Sequence, residues 1–124
     1  MRIEFISFGY KYNPSPPPGV NFVFDVRCLH NPHKNPHLRR LTGLDEAVQK
    51  DVFSRPHGKV VLRTIVTALF SLLAGEQRDI RVAIGCFGGR HRSVAMTEEV
   101  ARIIRETFVP EPVQVLIRHR ELDR

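Results

Sequence analysis

Only two cysteines, Cys28 and Cys86, occur among the 124 residues, both at or just past the ends of apolar, strand-like runs. Disulfide staples are therefore not what holds this chain together, and the fold has to rest on an apolar core. A chain of this length buries roughly two thirds of the surface its unfolded form exposes, which suits one domain, and a single domain over residues 1–124 is expected. No apolar run approaches the ~20 residues that span a bilayer, and no signal-peptide pattern is present, so a cytoplasmic, reduced protein without membrane contact is expected. Acid is missing from two long stretches, residues 26–44 and 80–97. Those gaps hold Arg27, Lys34, Arg39, Arg40, Arg81, Arg90 and Arg92 with four of the six histidines, within a formal net charge of +6. A local basic excess of this kind suits an anionic partner such as nucleic acid or a phosphorylated metabolite, the plain alternative being a solvated basic surface.

The second gap contains the stretch around which the rest is organised, Ile84-Gly85-Cys86-Phe87-Gly88-Gly89-Arg90-His91-Arg92-Ser93. An apolar run, residues 82–84, leads into a glycine-rich turn, and a helix begins near Ser93. Strand, turn and helix N-terminus together form an anion site, because unpaired N–H groups and the positive end of the helix dipole meet there. Gly88 and Gly89 allow positive φ, and Arg92 offers a planar fork for phosphate or carboxylate. The stretch reads as a phosphate cradle.

Along the chain, residues 2–8 read as a strand of β-branched and aromatic residues. Residues 9–19 carry Pro14, Pro16, Pro17 and Pro18 and read as an exposed, stiff connector, with docking of a polyproline-reading partner as the alternative. A second strand is expected over residues 20–26, its near-continuous apolar character matching a sheet covered by helices on both faces. Residues 27–40, with Asn31-Pro32, Asn35-Pro36 and the histidines His30, His33 and His37, read as turns. Three histidines so close invite a metal reading. No carboxylate or cysteine cluster accompanies them, however, and the prolines prevent helical i, i+4 pairing, so polar histidines donating to phosphate or sugar oxygens are the more economical account.

Thr42-Gly43-Leu44-Asp45 leads into a short helix to about Phe53. A longer helix is expected from about Pro56 to Ala74, with Val61, Ile65, Ala68, Leu69, Leu72 and Leu73 on its apolar stripe, and Gly75 ends it. Residues 79–84 form the strand before the cradle, and the helix after it runs to Phe108, stopped by Pro110 and Pro112. Residues 113–117 make a last strand, followed by a polar tail, residues 118–124. The alternation implies a three-layer α/β domain with a mainly parallel sheet. Ligands gather at the carboxyl ends of such strands, so Asp25 and Arg27, residues 86–93 and residues 118–120 should converge on one rim.

Four blocks in this order, residues 22–33, 41–45, 82–93 and Arg118-His119-Arg120, together with Ile6-Ser7-Phe8-Gly9-Tyr10, resemble the C-terminal domain of the RapZ family of RNase adapter proteins. The resemblance covers nearly the whole chain. It implies a domain like a phosphofructokinase subdomain that binds small regulatory RNA and holds an amino-sugar phosphate around the glycine-rich loop. The sequence departs from the family in lacking the N-terminal ATPase domain and any GxxxxGK followed by Ser or Thr, so a stand-alone domain without nucleotide hydrolysis is expected. Phe87 stands where the family commonly has threonine, and His30 where proline is usual.

The ligand-binding set expected is Asp25, Arg27, Asn31, His33, Thr42, Gly43, Cys86, Gly88, Gly89, His91, Arg92 and Ser93. The RNA-binding set is Lys34, Arg39, Arg40, Arg90, Arg118, His119 and Arg120. Within these, Gly88, Gly89 and Ser93 supply amides and a hydroxyl, Arg92 and His91 the charge, and Asp25 and Asn31 the contacts to sugar hydroxyl or amine groups. The partners are a phosphorylated small molecule, RNA, and an RNase or other protein, with a homo-oligomer also compatible; no metal and no cofactor are expected. Two alternatives stand beside this binding domain. One is a nucleotide-binding domain without hydrolysis. The other is a cysteine-dependent phosphatase, since Cys86-x5-Arg92-Ser93 places a thiol, a phosphate-binding arginine and a hydroxyl in one loop, with Asp25 as the acid for the leaving group.

Overall fold

The computed structural model describes residues 1–75, 78–107 and 113–122. Its strands are β1 (Arg2–Gly9), β2 (Phe22–Asp25), β3 (Ile80–Cys86) and β4 (Gln114–His119). Its helices are α1 (Glu46–Phe53), α2 (Pro56–Leu73) and α3 (Arg92–Thr107), with a 3-10 turn at Pro32–Lys34. The strands form one sheet in the order β2-β3-β1-β4, every neighbouring pair parallel. This is the α/β architecture with a parallel sheet that the alternation of elements implies.

Both central strands are apolar on both faces because both faces are covered. Ile3 and Phe5 of β1 register with Ile80 and Val82 of β3 on one face, and Ile6 and Phe8 with Ala83 and Gly85 on the other. All of these side chains are buried. The first face meets α3, whose Val100, Ala101 and Ile104 join Ile65, Leu69 and Leu73 of α2 in the main core. Gly85 is required on the second face, where a Cβ would come within 2.4 Å of the Phe8 ring.

The two outer layers differ in kind, which corrects the expectation of helices on both faces. The β2-to-β3 and β3-to-β4 connections, carrying the helices, run the same way along the sheet, so right-handed crossovers put them on one side. The β1-to-β2 connection runs the opposite way and crosses the other side as residues 10–21. A segment so rich in proline cannot form a helix there. Instead Pro17 is buried, and Arg81 ties the layer down by donating from Nη1 to Pro18 O at 3.0 Å and from Nε to Glu4 Oε1 at 2.8 Å. Strand β2 is shorter than the expected 20–26 and, as an edge strand, leaves alternate residues exposed.

Strand β3 continues past residue 84 to Cys86. Phe108, Pro110 and Pro112, expected to close α3, and Asp123 and Arg124 of the tail lie outside the described residues. Arg118 and His119 are corrected from tail to strand, since both belong to β4. His119 lies between Ser7 Oγ at 2.6 Å and Glu98 Oε2 at 3.2 Å, which fastens β4 to β1 and α3. Among the described residues no helix is long and apolar enough to cross a membrane.

Just beyond β4, Glu121 is 2% exposed and its Oε2 accepts from Gly9 N and from Arg120 Nε, both at 2.8 Å. Replacing it leaves the Gly9 amide buried without an acceptor. Hydrogen bonds to charged groups contribute about 1.5–3 kcal/mol each. Glu121→Ala is therefore expected to lower the unfolding free energy by at least that amount for one such bond, read from urea denaturation, with Glu121→Gln intermediate. A change within 0.5 kcal/mol would show that the buried carboxylate contributes nothing net.

Candidate phosphate-binding pocket

The connections leaving β1 and β3 depart to opposite faces of the sheet, and these strands are neighbours. Their carboxyl ends therefore flank the crevice where parallel sheets accept ligands. The two loops are stitched together by Tyr10 N donating to Cys86 O at 3.0 Å and Lys11 N to Phe87 O at 2.9 Å. A cavity of about 290 Å³ opens there. Of the expected ligand set, Asn31, His33, Cys86, Gly88, His91 and Arg92 line it, joined by Lys11, Tyr12, Phe87 and Arg90. No acid is among the lining residues.

The glycine loop divides its donors between the protein and the cavity. Cys86 Sγ accepts from the amides of Gly89 at 3.3 Å and Ser93 at 3.4 Å and lies 3.1 Å from Ser93 Oγ. Gly89 and Ser93, expected to present an amide and a hydroxyl to a ligand, thus turn them inward to the sulfur. The first helical bond of α3 is Ala95 N to His91 O at 2.9 Å, so the amides before it have no partner within the helix. Among the described residues nothing accepts from the amides of Gly88, Arg90 or His91.

Arg92, only 6% exposed, spends Nη1 on Arg27 O at 2.8 Å and Leu29 O at 3.1 Å. It clamps the turn after β2 to the start of α3 while still bordering the cavity. His91 is 7% exposed, and its Nε2 is buried without a hydrogen-bond partner. Burial pushes the His91 imidazole below its ordinary value, against the opposing pull of the Leu41 and Arg39 backbone beside the ring. The His33 ring faces it at 6.2 Å between centroids. Asn31 accepts from His33 N at 3.1 Å, which fixes this turn against the pocket.

The remaining expected residues do other things. Asp25 and Arg27 pair with each other, Arg27 Nη2 to Asp25 Oδ2 at 2.7 Å, and Arg27 stacks on Tyr10 at 3.9 Å. The Arg27 guanidinium holds the Asp25 carboxyl below the usual carboxylate range, so Asp25 is ionised and lacks a proton to donate. Thr42 and Gly43 buttress α3 from outside the cavity. Gly43 N donates to Arg90 O at 2.8 Å, a Cβ on Gly43 would come within 2.2 Å of Ala95 N, and Thr42 Oγ1 accepts from Leu44 N.

Lys34, Arg39 and Arg40 are exposed beside the pocket turn, with Arg39 Nε donating to His33 O at 3.0 Å. Arg90 is exposed on the pocket rim, and Arg118 is exposed on the edge strand β4. His119 and Arg120 are held by Ser7, Glu98 and Glu121. The histidines of residues 30–37 diverge, His30 lying 3.6 Å from Asp51 while His33 faces His91. Among the described residues no three metal-ligating side chains come together.

The sequence expectations do not include Lys11, Tyr12 or Glu121. The available signal is the strand-end rule itself, since β1 also has a carboxyl end and Lys11 and Tyr12 follow it. The two loop glycines should separate cleanly on substitution. Gly89 has φ +72° and a Cβ there would come within 2.4 Å of Glu121 Cγ and 2.6 Å of Gly9 N, whereas nothing lies within 4 Å of a Cβ on Gly88. Gly89→Ala is expected to cost about 1–3 kcal/mol from left-handed strain and crowding. Gly88→Ala should leave the denaturation midpoint within experimental error. Equal losses would mean that the Gly89 passage has room to relax.

A family model described as the RapZ C-terminal domain matches residues 1–123. The chain is similar to a nucleotide-binding protein of Thermobifida fusca, 41% identical over 128 residues, covering 100% of this chain and 42% of that protein. It is also similar to nucleotide-binding proteins of Synechococcus sp. (strain JA-3-3Ab), 39% identical over 98% of the chain, and Desulfovibrio desulfuricans, 40% identical over 99%. In these two the match covers 39% of the relative, so the chain spans about two fifths of the length of the curated relatives it matches. With an α/β fold, a glycine loop between β3 and α3 and a family match along residues 1–123, the chain belongs to the RapZ C-terminal domain family.

Proposed function

We propose that this domain binds a phosphorylated small molecule at the carboxyl ends of β1 and β3, and RNA over the adjoining basic rim, as a regulatory module of the RNase-adapter type. The observation that carries the reading is an acid-free cavity at the start of α3, where the amides of Gly88, Arg90 and His91 have no acceptor among the described residues. Phosphate oxygens would satisfy such amides and meet the positive end of α3. Arg90 and Lys11 add charge at the mouth, and Asn31 offers its amide to sugar hydroxyls. An amino-sugar phosphate, the ligand implied by the family resemblance, is one such molecule. A nucleotide held without hydrolysis is the other, in keeping with the names of the relatives.

Binding is favoured over phosphatase chemistry by Asp25. Its carboxyl is ionised in a pair with Arg27 and does not line the cavity. A leaving group at Cys86 would therefore lack the acid that the phosphatase reading assigned to it.

Calorimetry tests the phosphate site. Inorganic phosphate and glucosamine 6-phosphate are expected to bind and glucosamine is not. Arg90→Ala should weaken both by about 10- to 100-fold, the value of one charge-assisted hydrogen bond, with circular dichroism showing an intact fold. Absence of binding by either phosphate compound would refute the reading.

RNA affinity should fall linearly with salt on a double-logarithmic scale, because each phosphate contact releases counterions. Replacing Lys34, Arg39 and Arg40 together by alanine should reduce that slope by about 2 for single strands, at about 0.7 per contact. An unchanged slope would place RNA on another face.

A further inference from the structure

We propose that the ligand's second half is a flat heteroaromatic ring, so that the pocket takes a nucleoside monophosphate unit, with Phe87 as the specificity-determining residue. This rests on the phosphate-site reading and adds to it what the rest of the ligand must be.

Phe87 sits between Cys86 and Gly88, directly on the glycine loop, and is 53% exposed. Tyr12, at the end of the neighbouring loop, is 44% exposed. Single exposed apolar side chains are ordinary. Among the described residues, however, these are the two strongly exposed aromatic side chains, and both line the one cavity that also carries the phosphate donors. The backbone bond from Lys11 N to Phe87 O holds their segments side by side. The Phe87 ring makes no contact with another ring among the described residues, so its face is open to a ligand.

The two parts of the pocket therefore ask for different chemistry from one molecule. The loop amides and Arg90 ask for an anion. Phe87 offers neither donor nor acceptor and so gives nothing to sugar hydroxyls, while no lining acid is present to pair with an amine. A nucleobase has a π face for Phe87 and ring carbonyls or nitrogens for Lys11, whose ammonium lies 5.7 Å from the Tyr12 ring centroid. Stacking of this kind tolerates any base, because every base presents a π face. A free nucleotide and the 5′-phosphorylated end of a single-stranded RNA present the same unit.

The test compares adenosine 5′-monophosphate with ribose 5-phosphate and inorganic phosphate by calorimetry at constant ionic strength. Adenosine 5′-monophosphate is expected to bind about five- to a hundredfold tighter than ribose 5-phosphate, the range that base stacking supplies. Phe87→Leu, which keeps an apolar side chain without a π face and adds no hydroxyl to the loop, should erase that difference. Because Phe87 is exposed, the variant is expected to keep the wild-type melting temperature. A pair of short oligonucleotides, one with a 5′-phosphate and one with a 5′-hydroxyl, separates the sources. Tighter binding of the phosphorylated one, lost in Phe87→Leu, assigns the site to an RNA end, whereas equal binding of the two assigns it to the free nucleotide. Equal affinity for adenosine 5′-monophosphate and ribose 5-phosphate, both binding, would overturn the base proposal and leave the phosphate site standing. No binding by any of the three phosphates would overturn both.

Discussion

Between β3 and α3 the chain passes through a gap too narrow for a side chain. At Gly89 it turns with φ +72°, hemmed in by the amide of Gly9 at the end of β1 and by the buried side chain of Glu121. Glu121 in turn accepts from Gly9 N and Arg120 Nε. The glycine loop, the end of β1 and the segment after β4 are thus one packed unit. Because backbone meets backbone at Gly89, the path of the loop is fixed there.

Packing also decides which polar groups remain available. The sulfur of Cys86 draws in the Gly89 and Ser93 amides, and the carbonyls of residues 27 and 29 occupy one nitrogen of Arg92. What is left without an acceptor among the described residues includes the Gly88, Arg90 and His91 amides, beside a cavity that Arg90, His91 and Arg92 line. Asp25 is paired with Arg27, and Glu121 accepts from Gly9 N and Arg120 Nε, while no carboxylate is among the lining residues, so the cavity keeps a positive character.

The alternation of apolar runs, prolines and helical stripes was enough to read a parallel α/β sheet, and the strand–glycine–helix sequence around Cys86 was enough to place the pocket's centre. His91 and Asn31 were named from residue type and position, and both line the cavity. Sheet order was not legible, because parallel strands far apart in sequence carry no local signal of which neighbours which. The consequence was practical. With β1 placed beside β3 only in three dimensions, Lys11 and Tyr12 stayed hidden in what read as a spacer, and Glu121 in what read as a solvated tail.

The sequence by itself determined the kind of elements and the place of an acid-free, glycine-rich turn before a helix. Periodicity and proline content act over a few residues, and an acid-free, glycine-rich turn before a helix favours anions wherever it is placed. Tertiary structure alone decided which donors point outward, which aromatic rings remain exposed and which charges cancel. Those outcomes depend on contacts between residues far apart in the chain, Gly9 with Glu121, Arg92 with Leu29 and Lys11 with Phe87. Local sequence cannot encode such contacts, because the free energy that selects them comes from packing the whole sheet against its two unlike layers.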